Sequence, residues 1–97
     1  MSTTFDQIAT KIIKEQELII GPIAWQEAEH VSGLTLDDHT AAQILEDNAD
    51  PKLVVDQLVG RYERLFGRAS REVCKDAVAS LLAELNPSDI PSTLATV

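Results

Sequence analysis

The side chains of this chain that could do chemistry are His30, His39, Cys74 and a set of carboxylates, and their spacing builds no reaction centre. A zinc site on a helix needs ligands four residues apart, and neither histidine has such a partner. Cys74 has no cysteine or histidine near it in sequence, so a small buried side chain is expected in place of a nucleophilic thiolate. Glu46, Asp47 and Asp50 lack the alternating ligands and central glycine of a calcium loop, and a solvated turn is expected there. His30 falls on the apolar arc of its segment and is expected in the core, whereas His39, after Asp37-Asp38, is expected to face solvent. There is no glycine-rich phosphate loop and no nucleophile elbow. No catalytic residue, metal or cofactor is assigned, and the chain is read as a non-enzyme.

Charge carries more information. Five of the eight basic residues, Arg61, Arg64, Arg68, Arg71 and Lys75, recur at alternating steps of three and four, which makes one cationic stripe if residues 58 to 76 are a helix. The remainder is acidic, giving a formal net charge of -8. The stripe can pair with the chain's own carboxylates, within the fold or across a homodimer, or its guanidinium forks can recognise an acidic surface on another protein. A nucleic-acid adaptor is a third reading, opposed by the negative field of the rest of the molecule. Leu18 and Trp25, one heptad apart and away from the isoleucine face, form a second candidate contact strip. They either meet a short helix at 36 to 46 or stand as an exposed apolar anchor, a role tryptophan fills well.

These residues need elements to position them. Ninety-seven residues with 44% hydrophobic and 25% charged content suit one globular domain, and a core built from Ile, Leu, Val and Ala rather than large rings suits helices. The expectation is an all-α bundle of four to five helical segments. Phe5, Ile8, Ile12, Ile13, Ile19, Ile20 and Ile23 share one arc of a first amphipathic helix, which Gly21-Pro22 kinks or breaks before it runs on to a stop at Ser32-Gly33. Thr35 and Asp38 open a short helix through Ala41, Ala42, Ile44 and Leu45. Asp50 caps, and Pro51 starts, a periodic run reaching Leu85. As one rod it would span roughly 50 Å, too long for a domain of this size, so Gly60 and Gly67 are expected to relieve it. Residues 1 to 86 form the domain and 87 to 97 a tail or linker. A single cysteine, no apolar run of membrane length and an N-terminus without a basic, apolar leader point to a cytoplasmic protein.

Residues 12 to 34 laid over 58 to 80 align Gly21 with Gly67 and Ile19-Ile20 with Leu65-Phe66, which suggests two related halves, each a helix, a glycine bend and a helix. Ile20-Gly21-Pro22-Ile23-Ala24 resembles the Gly-Pro-Ile-Ala segment of small helical domains at the ends of bacterial signalling kinases and response regulators. That resemblance implies a regulatory or oligomerisation module and carries over no catalytic residue. His30-Val31-Ser32-Gly33 has a superficial likeness to a histidine phosphotransfer domain, which implies an enzyme-class alternative through His30. The reading adopted is a protein-interaction module, self-associating, that uses the basic stripe and the Leu18/Trp25 strip.

Overall fold

The computed structural model describes residues 4–37, 41–44, 50–86, 88, 90, 91 and 94. In chain order they form α1 (Thr4–Ile20), α2 (Ile23–Ala28), β1 (Leu34–Asp37), β2 (Ala41–Ile44), α3 (Pro51–Phe66) and α4 (Arg68–Leu82). The helix α1 is central and touches α2, α3, α4 and β2. None of the helices is long and apolar enough to cross a membrane.

One stripe of α1, Ile8, Ala9, Ile12, Ile13 and Gln16, is fully buried, as a helical period predicts. The helix ends at Gly21, whose φ of 81° is left-handed and whose N–H closes on the Glu17 carbonyl at 2.9 Å. The junction is thus a break. Pro22 stands ahead of α2, which stops at Ala28, short of the expected Ser32-Gly33 boundary. Trp25 is completely buried among the core residues, so it is no exposed anchor.

The all-α expectation needs correction between residues 34 and 44. In place of a short helix the chain forms an antiparallel pair with Leu34 opposite Ile44 and Leu36 opposite Ala42. Leu34, Ala42 and Ile44 are buried and Thr35 and Gln43 exposed, a period of two. Two α1 side chains satisfy the far edge of β2: Asp6 Oδ1 accepts the Ile44 N–H at 2.7 Å, and Thr10 Oγ1 accepts the Ala42 N–H at 2.9 Å. An isolated two-stranded sheet is marginal in water, and this one is held by the helix beneath it. Asp38, the other half of the expected capping box, lies outside the described residues.

The long periodic run divides where its second glycine falls. Asp50 Oδ1 caps α3 by accepting the Lys52 N–H at 2.9 Å, with Pro51 in the first turn, as the sequence predicts. Gly60 sits inside α3 without interrupting it, whereas Gly67, at φ 98° and ψ 173°, separates α3 from α4. That backbone region is essentially restricted to glycine. The Lys52 ammonium donates to the Ser88 carbonyl at 2.9 Å, so the chain leaving α4 returns to the start of α3. Leu94, in the segment read as a tail, is 1% exposed and belongs to the core cluster.

Candidate interaction surface

Three polar links join the α1–α2 corner to the α3–α4 corner. Gln16 Nε2 donates to the Ser70 carbonyl at 3.0 Å and lies 3.4 Å from Cys74 Sγ. The Tyr62 hydroxyl donates to the Ala24 carbonyl at 2.6 Å, and Arg61 Nε donates to Glu27 Oε1 at 2.9 Å. Gly21 and Gly67 therefore lie at the same end of the molecule. Of the six large apolar side chains that stand exposed among the described residues, five are within three positions of one of these glycines. They are Leu18 (80% exposed), Ile19 (60%), Ile23, Leu65 (49%) and Phe66 (39%). The cause is local: a helix that stops at a glycine cannot carry its apolar arc further over the core, so the last residues of the arc face outward. Ile19 and Ile23, read from the sequence as core, are exposed for this reason.

The cationic stripe is not one edge. The break at Gly67 puts Arg61 and Arg64 on α3 and Arg68, Arg71 and Lys75 on α4. Arg61 is held by Glu27, and Arg71 lies 3.7 Å from Glu63 across the break. Exposed pairs of this kind contribute about 0–1 kcal/mol each. Arg64 and Arg68 are exposed beside Leu65 and Phe66, with no ion pair among the described residues. Lys75 is half-buried and lines a separate hollow with Asp76, Leu82 and Leu94. Leu18 keeps its exposure but loses Trp25 as a companion.

Two of the groups with reactive potential, Cys74 and Tyr62, are buried, and His30 is exposed. Burial pushes the Cys74 thiol up to about 11, against a smaller lowering effect of the Gln16 amide, so it is protonated at neutral pH. Burial also raises Tyr62, whose hydroxyl acts as a donor inside the core. His30 is exposed in the turn after α2, not in the core as the apolar arc implied, because α2 ends two residues before it. It borders a groove of about 360 Å³ lined by His30, Val31, Ser32, Gln57, Gly60, Arg61 and Arg64. His39, Glu46 and Asp47 lie outside the described residues, among which no cluster of potential metal ligands occurs.

Sequence reasoning singled out Leu18, Arg64 and Arg68, each within three residues of a helix break, and missed Ile19, Ile23, Leu65 and Phe66 as surface residues. The usable signal was an apolar pair directly before each helix-ending glycine. Comparison of the chain with protein-family models, with curated proteins and with solved structures returns no match.

Proposed function

We propose that this chain is a non-catalytic interaction module that pairs with a second copy of itself through the end that carries Gly21 and Gly67. The observation that supports this reading is the collection of Leu18, Ile19, Ile23, Leu65 and Phe66, exposed, around two helix breaks tied together by the Gln16, Tyr62 and Arg61 links. Contiguous exposed apolar surface marks association sites. A twofold dimer requires a self-complementary patch, and here the two corners carry opposite charge: Glu17 precedes Leu18 on α1, whereas Arg68 follows Leu65 and Phe66 across Gly67. Rotating one copy by half a turn sets the acidic corner of each against the basic corner of the other. This local match offsets the repulsion expected between two chains of net charge -8. A setting in bacterial-type signalling or regulation is supported by the Gly21-Pro22 resemblance alone, and a cytoplasmic one by the single cysteine.

Sedimentation equilibrium tests the pairing. The expected result is a dimer at tens of micromolar, with Leu18→Glu and Phe66→Glu each shifting the chain to monomer while the far-ultraviolet helical signal is kept. Glu17→Arg and Arg68→Glu should each weaken self-association, and an equimolar mixture of the two should restore it, because each copy then supplies the opposite charge at both contacts. A wild-type chain that stays monomeric at 200 μM, or glutamate variants that dimerise as before, would refute the proposal. Binding to a different, acidic protein by a monomeric chain would give the surface another occupant.

A further inference from the structure

Beyond self-association, the groove between α3 and the turn after α2 has the character of an anion site. Gln57, Gly60, Arg61 and Arg64 follow one another at helical spacing on a single face of α3, and the side chains of Gln57, Arg61 and Arg64 form one wall. His30 and Ser32, both exposed, form the other. Gly60 separates the walls. A glycine inside a helix costs about 0.5–1 kcal/mol relative to alanine and is usually kept for close packing or an unusual backbone. Neither reason operates here, because the residue is helical and a Cβ added to it would meet nothing within 4 Å. What the missing side chain does is leave the floor of a groove of about 360 Å³ open.

The charge in that groove is positive on a molecule that is otherwise negative. Arg61 is engaged by Glu27 through Nε at 2.9 Å, and its terminal nitrogens make no hydrogen bond among the described residues. Arg64 has no ion pair among the described residues. Five side chains able to donate thus face one opening from two sides: two guanidinium groups, an amide, a hydroxyl and an imidazole. Donors converging from two walls suit an anion with three outward oxygens better than a planar carboxylate, and arginine is the side chain best shaped for such oxygens. The volume lies at the lower end of the range for small-ligand sites. We infer that the groove bounded by His30, Ser32, Gln57, Arg61 and Arg64, with Gly60 as its floor, binds a phosphoryl group. The group arrives either on a free phosphate monoester or on a phosphorylated side chain of another protein.

Nuclear magnetic resonance titration of the isotopically labelled chain tests this with inorganic phosphate, acetate and a phosphoserine peptide as probes at constant ionic strength. Inorganic phosphate is expected to shift the Gly60 amide, the Arg64 Nε–H and the His30 ring saturably at millimolar concentration, and acetate to do so at least tenfold more weakly. Tenfold tighter binding of the phosphoserine peptide assigns the source to a protein, and equal binding assigns it to free esters. Arg64→Gln should weaken phosphate at least tenfold. Gly60→Leu fills the floor with a residue that favours helix, so the fold and the self-association are retained while saturable binding is lost. Linear shifts without saturation, acetate binding equal to phosphate, or unchanged binding in Gly60→Leu would each overturn the assignment.

Discussion

At the scale of single residues, burial sets the protonation state of a core thiol and a core phenol. Cys74 and Tyr62 are both fully buried, and burial favours their neutral forms. Their folded-state values are raised, so on alkalisation the unfolded chain ionises first. The stability that the thiol supplies is complete below its ordinary value of 9.0 and is lost as pH rises from there through about 11, and the share from Tyr62 is lost at higher pH still. Urea unfolding should accordingly show the wild type losing stability above pH 9, with the thiol accounting for on the order of 2–3 kcal/mol of the loss by pH 11. Cys74→Ala should remove that share of the slope. Superimposable pH profiles for the two proteins would mean that the thiol is not shielded. The burial of Cys74 was legible in the sequence, because a cysteine without partners behaves as a small hydrophobe. The exposure of His30 was not, since its wheel position assumed a helix that ends too early to include it.

At the scale of elements, the same substitution at two glycines seven positions apart should have opposite signs. Gly60 is helical with free space around its Cα, so Gly60→Ala should stabilise by about 0.5–1 kcal/mol. Gly67 also has free space, but its φ of 98° excludes other residues, so Gly67→Ala should destabilise by about 1–3 kcal/mol through the backbone alone. Denaturant midpoints of both variants check this, and equal signs would contradict the placement of the break. The sequence marked both positions as relief points, and the alignment of Gly67 with Gly21 singled out Gly67 as the bend; spacing alone does not rank them, because helix interiors tolerate a glycine at modest cost. The paired strands Leu34–Asp37 and Ala41–Ile44 show the same ambiguity in a sharper form. Leu34, Leu36, Ala42 and Ile44 alternate, yet Ala41, Ala42, Ile44 and Leu45 also fit a helical turn, and in so short a stretch periodicity does not decide. The Asp6 carboxylate and Thr10 hydroxyl, more than thirty residues away, make the strand the better solution by satisfying its edge.

At the scale of the whole molecule, the core closes with residues from both ends of the described chain. Ile8 from the first helix and Leu94 from beyond the last belong to one cluster. Leu94→Ala should therefore cost about 2–5 kcal/mol in thermal or chemical unfolding, a large share of the stability of a domain this size. A loss below about 0.5 kcal/mol would show the final segment to be detached. The sequence by itself determined the helical character, the Asp50-Pro51 start, the glycine boundaries and the acidic field with its few arginines, because propensity, capping and charge are properties of a residue and its neighbours. Tertiary structure decided that Trp25 is core while Leu18 is surface, that the arginines divide between two helices, and that Leu34–Asp37 pairs with Ala41–Ile44 as strands. Those outcomes depend on which distant side chain fills a space or accepts a hydrogen bond, and spacing along the chain does not contain that information.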